Sequence, residues 1–195
     1  RPPRSKRVLS VSVGNWLAGF VVVGGMVDQD QFLHDGVRSW GPARLPPMPS
    51  ASTKSRPASY EDILRLSENL IGEIVDGELI VSPRPAFRHA MASSVIGVEL
   101  GGPFHRGRGG PGGWVILFEP ELHLDAQVLV PDLAGWRRER MATCPDVAYS
   151  TLAPDWVCEV LSPGTAVVDR TRKQPIYFEH GVSWLWFVEP SARTI

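Results

Sequence analysis

Apolar and polar residues recur with two different periods along this chain, and each change of period marks an element. Ile63, Leu64 and Leu70 form an apolar stripe behind Ser59, and Asp62 lies three residues after that serine as a capping-box partner, so a short helix is predicted. The period then falls to two. Glu73-Ile74-Val75 and Glu78-Leu79-Ile80-Val81 flank Asp76-Gly77, the signature of a two-residue hairpin turn, because glycine accepts positive φ without strain and aspartate nearly so. Pro83 and Pro85 end the hairpin. Met91, Val95 and Val98 return at helical spacing and predict a helix over 87–100, closed by Gly101-Gly102-Pro103. The glycine-rich stretch 107–113 reads as a loop.

The second half reads as strands over 114–118, 121–125, 128–134, 156–162 and 183–189, with one helix over 169–180. In the last strand Trp184, Trp186 and Val188 share one face while Leu185 and Phe187 share the other. Apolar residues on both faces predict a strand in the middle of its sheet. Helices ahead of the strands and one late crossover helix give an α/β domain with a mixed central sheet flanked by helices.

The first 57 residues have another character. Arg1, Arg4, Lys6 and Arg7 precede an uncharged stretch over 8–27, the layout of a signal peptide or membrane anchor. Ser10, Ser12, Asn15 and four glycines dilute its apolar character, and the ordinary reading is an extension foreign to the domain. The start at Arg1 points to a fragment or a processed chain. Residues 41–57 are rich in proline, serine, alanine and arginine, a linker composition. The organisation expected is therefore an extension and linker over 1–57 and one folded domain over 58–195.

Composition narrows the function classes. A formal net charge of -1 provides no global basic field, which argues against a nonspecific nucleic-acid coat and leaves local patches as the only route to a phosphate backbone. Arg137, Arg138 and Arg140 form one such run and are candidate phosphate contacts. The only cysteines are Cys144 and Cys158, too few for a disulfide framework or a thiolate metal site, so a reducing, cytoplasmic setting is expected.

Four charged residues stand where a fold gains little from them. Asp132 follows Pro131 at the end of the apolar run Val128-Leu129-Val130, and Glu159 lies inside Trp156-Val157-Cys158-Glu159-Val160-Leu161. A carboxylate within an apolar strand is costly unless something pairs with it, and a divalent cation is the simplest partner for two of them. Glu73, beside the hairpin, and Lys173, in the late helix, complete a constellation suited to a magnesium-dependent phosphodiesterase. Taken singly, Glu73 reads as a hairpin ion pair, Lys173 as a solvated helix charge and His89 as a surface or helix-terminal histidine outside the catalytic set.

From about Ala58 onward the chain resembles the Uma-two family of restriction-endonuclease-like proteins, a branch of the PD-(D/E)xK nuclease superfamily. The resemblance is carried by Gly72-Glu73-Ile74-Val75-Asp76-Gly77-Glu78-Leu79, by Val130-Pro131-Asp132-Leu133 and by Val157-Cys158-Glu159-Val160-Leu161-Ser162-Pro163. Asp169-Arg170, Lys173, Tyr177, Gly181-Val182 and the stretch from Trp186 to Pro190 extend it. It implies a restriction-endonuclease-like fold and a metal-dependent endonuclease acting on DNA, with magnesium, or manganese in its place, as cofactor. Asp132 and Glu159 would then be the main metal ligands, Glu73 a further direct or water-mediated one, and Lys173 the residue that orients the attacking water and offsets phosphate charge. Apart from the resemblance, Arg137 and Arg138 of the basic run are the expected substrate contacts, a solvated face being their ordinary reading.

The superfamily lysine two residues after the strand carboxylate is absent, since Leu161 occupies that place. The family appoints a lysine on the following helix, hence Lys173, and Pro175 places that lysine just before or at a helix start. The resemblance also implies further strands after Ile195, and a duplex substrate favours a homodimer. Membrane contact is expected only if residues 8–27 form an anchor. The alternative function is a catalytically inactive nuclease fold that binds nucleic acid or a protein partner.

Overall fold

The computed structural model describes residues 6–13, 22–27 and 56–190. Eleven strands among them form two mixed sheets. The six-stranded sheet has the order β2-β1-β11-β10-β8-β5, built from β1 (Arg7–Val13), β2 (Val22–Val27), β5 (Trp114–Phe118), β8 (Leu133–Arg137), β10 (Trp156–Val160) and β11 (Trp184–Glu189). The five-stranded sheet has the order β4-β3-β7-β6-β9, from β3 (Leu70–Val75), β4 (Glu78–Pro83), β6 (Glu121–Leu124), β7 (Gln127–Leu129) and β9 (Tyr149–Ser150). Helix α1 (Tyr60–Leu64) precedes β3, and α2 (Phe87–Leu100) runs into a π-helical turn over Gly101–His105. A late helical passage joins α3 (Ala166–Val168), a π-helical turn over Asp169–Lys173 and α4 (Gln174–Glu179). The mixed α/β architecture is the one the periodicity predicts.

Alternation in the central strands divides the core. Trp156, Cys158 and Val160 of β10, with Val188 of β11, pack with Ala92 and Ile96 of α2 on one face of the six-stranded sheet. Val157, Leu185 and Phe187 point to the other face, where Ile176, Tyr177 and Phe178 of α4 join residues of the second sheet. At roughly 1.5–3 kcal/mol for each large apolar side chain buried, these two layers dominate the stabilisation of the domain. Strand β11 is internal, as its two-faced apolar pattern predicts: it pairs parallel with β10 on one side and with β1 on the other. That second partner comes from the N-terminal extension, Arg7 lying opposite Trp184. The remainder of the possible anchor, over 14–21, and most of the linker lie outside the described residues. Among the described residues no helix is long and apolar enough to cross a membrane.

The hairpin turn is as predicted, with positive φ at Asp76 (52°) and Gly77 (77°). The helix expected after Ser59 is only five residues long, although Asp62 does accept a hydrogen bond from the Ser59 backbone N–H at 2.9 Å. The strand expected over 128–134 is in fact two. Strand β7 ends at Leu129 in the smaller sheet and β8 starts at Leu133 in the larger one, with Val130-Pro131-Asp132 crossing between them. Proline has no N–H for a ladder, so Pro131 marks the place where one sheet can be left for the other. Asp132 therefore sits in a crossing between two sheets.

Candidate active site

Three features of the fold bring the charged residues together. Glu73 projects from β3, Glu159 from β10, and the π-helical turn presents both Asp169 and Lys173 inward. The turn has a local cause. Pro175, in the first turn of α4, cannot donate to the carbonyl four residues back, and the ladder just before it is widened, with the Gln174 N–H bonded to the Asp169 carbonyl. The sequence placed Lys173 just before or at a helix start; it is the last residue of the π-helical turn, directly ahead of α4.

Lys173 is the hub. Its Nζ lies 2.9 Å from Glu73 Oε1, 3.0 Å from Glu159 Oε1 and 3.1 Å from Asp169 Oδ1, and the residue is only 3% exposed. An ammonium has three N–H donors, so three carboxylates match its full capacity. Glu159 Oε1 also accepts a hydrogen bond from the Tyr177 hydroxyl at 2.7 Å, and Glu73 Oε1 accepts one from the Val130 backbone N–H at 2.8 Å. Asp132 is held separately. Its Oδ2 accepts from the Val160 backbone N–H at 2.7 Å, and its Oδ1 lies 3.2 Å from His89 Nε2.

All of these side chains except Tyr177 line one cavity of about 450 Å³, with Ser162, Thr165, Arg84 and Glu119 toward its rim. Five carboxylates (Glu73, Glu119, Asp132, Glu159 and Asp169) thus share the cavity with Lys173, Arg84 and His89. Burial pushes the Glu159 carboxyl well above the usual range, against the pull of Lys173, and Asp169, Asp132 and Glu73 add to the push. Lys173 is held well above its usual value because Glu159 and Glu73 outweigh the cost of its burial. Burial likewise opposes a charge on His89, but the contact with Asp132 prevails and raises its pKa.

The donor set is chemically suited to a hard cation. Glu73 Oε2 and Glu159 Oε2 receive no hydrogen bond from the described residues, and the cluster carries more negative charge than its cations offset. Among the described residues no group of three or more His, Cys, Asp or Glu side chains is arranged to enclose a metal ion by itself. Magnesium does not require one, since it keeps several waters and takes one or two carboxylates from the protein.

Glu73, Asp132, Glu159 and Lys173, the residues singled out in the sequence, therefore converge on one cavity. Arg137 and Arg138 do not join them. They lie at and just beyond the far end of β8 from Asp132, about 16 Å along the strand. The Arg137 guanidinium stacks on Trp114 at 4.8 Å and lines a separate apolar pocket of about 220 Å³ with Trp156, Trp184 and Trp186. Arg138 donates to the His105 carbonyl at 3.3 Å.

Sequence reasoning passed over three members of the cluster. Asp169 stands four residues before Lys173, a spacing that signals a shared helical face. Tyr177 is a further four residues on, with its hydroxyl directed at Glu159. His89, read as a surface or helix-terminal residue, is largely covered and abuts Asp132. A histidine facing the apolar side of α2 was the available signal.

No curated protein matches the chain. A crystal structure of "a putative nuclease belonging to DUF820" from Anabaena variabilis superposes with a TM-score of 0.56 at 22% sequence identity, covering 69% of this chain and 75% of that one, which establishes a shared fold. The model of the Uma2 family, described as "Putative restriction endonuclease", matches residues 58–195, and the chain belongs to that family.

Proposed function

We propose that this protein is a divalent-cation-dependent endonuclease that hydrolyses phosphodiester bonds in DNA, working in the cytoplasm with magnesium, or manganese in its place. The observation that carries the proposal is the buried Lys173 tied to Glu73, Glu159 and Asp169 beside Asp132 in one open cavity. Family membership supports a nuclease-like activity; the cation and the substrate are inferred from the chemistry of the cluster.

Charge makes the case for a cation. A phosphodiester entering a cavity lined by five carboxylates is repelled until the surplus negative charge is compensated. Asp132 and Glu159 would hold the ion, with Glu73 contributing directly or through water. Bound there, a divalent cation supplies Lewis-acid shielding of the phosphoryl oxygens and a water of lowered pKa. Hydrolysis itself joins a water oxygen to phosphorus and breaks the bond to the leaving sugar oxygen, which takes up a proton.

The chain's own residues set the geometry for that exchange. Lys173 fixes the rotamers of Glu73 and Glu159, and Tyr177 adds a second constraint on Glu159. Because all three ammonium donors are engaged, Lys173 orients the attacking water only by exchanging one of these contacts. The Val160 N–H and His89 hold Asp132 from two sides. Arg137 and Arg138 can touch phosphates well away from the scissile one, since they lie at the other end of β8. A pair of chains related by a two-fold axis is the assembly that a duplex with two strands calls for.

Calorimetric titration of the full chain with Mn²⁺ and Mg²⁺ tests the proposal. Binding by the native protein and its loss in both Asp132→Ala and Glu159→Ala is the expected result. Unchanged binding in both variants removes the cation site and with it the nuclease proposal.

A further inference from the structure

Helix α2 buries one face against the six-stranded sheet and leaves a second apolar stripe in the open. Ala92, Ile96 and Gly97 face inward, while Phe87 is 96% exposed, Met91 55% and Val98 73%. At 3.6 residues per turn these three fall within about 40° of one another around the helix, so they form a single ridge. Beside the ridge, Phe118 of β5 is 53% exposed. Its ring lies directly over Gly97, where a Cβ would collide with Phe118 Cζ, so glycine is what lets the ring rest on the helix. Together the four side chains offer on the order of 500 Å² of contiguous apolar surface, at the upper end for a monomeric protein.

We propose that this face of α2 is a self-association surface on which a second copy of the chain packs its own α2 antiparallel about a two-fold axis. Two properties of the face select a second copy over an unrelated partner. The first is area. A stable interface takes about 800 Å² from each partner, and the apolar side chains of this ridge alone supply more than half of that.

The second is self-complementarity. Arg88 and Glu99 lie on the same flank of the ridge, near opposite ends of the helix, and neither has an ion-pair partner among the described residues. In an antiparallel pair like flanks meet, so Arg88 of each copy comes to Glu99 of the other, and the contact forms twice. On the opposite flank are the small exposed residues Ala90 and Ser94, about two turns and one turn from the Phe118 ring over Gly97. The same pairing sets each ring against the small residues of the other copy. Polar margins of this kind fix register while the apolar ridge supplies the association.

The geometry reaches the site as well. Ala86 and His89, at the N-terminal end of α2, line the carboxylate cavity. With 14 residues the helix is about 21 Å long, so antiparallel pairing sets the two cavities roughly one helix length apart. The interface deepens the two-fold assembly proposed above, yet its test reads mass alone and needs neither DNA nor cation. A dimer through α2 stands even if no cleavage is found.

Sedimentation equilibrium or light scattering on the full chain, at high micromolar concentration, is the experiment. Twice the chain mass is expected for the native protein, and the chain mass for Met91→Glu and for Val98→Glu. Arg88→Glu and Glu99→Arg should each weaken association by about tenfold or more, since each sets like charges opposite one another. The double variant Arg88→Glu/Glu99→Arg should restore it. These positions are exposed, and circular dichroism melts establish that each variant is folded. A native protein that stays at the chain mass overturns the proposal, as does a dimer indifferent to Met91→Glu and Val98→Glu or a charge-reversed pair that fails to recover.

Discussion

Replacing Lys173 with methionine isolates the electrostatic core of the site, because methionine fills nearly the same volume without the charge. The native ammonium is 3% exposed and lies within 3.1 Å of three carboxylates. Breaking a buried ion pair by removing one partner costs about 3–5 kcal/mol, and here one removal leaves three carboxylates uncompensated. For a chain of this length that is a fall in melting temperature of roughly 6–20 °C near neutral pH.

The deficit should depend on pH with a definite sign. Glu159 already has a raised pKa in the folded protein, so the stability linked to its proton is fully present below its unfolded pKa and is lost as pH rises through the folded one. Without Lys173 that value rises further, and the gap between variant and native protein widens as the carboxyls ionise. Thermal and urea unfolding followed by circular dichroism in chelator, at about pH 5 and about pH 8, measures both quantities. A variant melting within about 2 °C of the native protein at the higher pH would refute the reasoning. So would a large deficit that is equal at both.

Two further outcomes follow from the same cluster. Cation binding at Glu159 competes with protonation of a carboxyl whose pKa burial raises, so affinity for Mg²⁺ should rise with pH and binding should release protons; calorimetry in buffers of different ionisation enthalpy reads this, and equal heats in all buffers would contradict it. Tyr177→Phe removes the hydroxyl 2.7 Å from Glu159 Oε1 and should destabilise by about 1–3 kcal/mol in chelator, checked by urea unfolding against the native protein.

The elements that the sequence displayed most clearly are those whose pattern is local. Asp76-Gly77 specified a hairpin because both residues take positive φ there, and the alternation in β11 separated Trp184, Trp186 and Val188 from Leu185 and Phe187 as its two buried faces. The split between β7 and β8 was hidden: Val128-Leu129-Val130 and Leu133-Ala134 form one apolar run, and only the second sheet reveals that Pro131 separates two strands. Site residues followed the same rule. Asp132 and Glu159 drew notice because a carboxylate in an apolar run needs a partner. Asp169 and Tyr177 resemble ordinary helix residues until the π-helical turn sets them beside Lys173, and His89 meets Asp132 only through the packing of α2 on the sheet. Arg137 and Arg138 are near Asp132 in sequence but separated from it by the whole of β8, since an extended strand carries neighbours in sequence far apart.

Cleavage of supercoiled plasmid DNA by the full chain, with Mg²⁺ or with chelator, tests the central claim most directly. Nicked and linear DNA should form with the native protein and the cation, and should be absent with chelator and with the folded Glu159→Gln and Asp132→Asn variants. Cleavage that persists in chelator, or that both variants retain at the native rate, would contradict a carboxylate-held cation as the source of the activity.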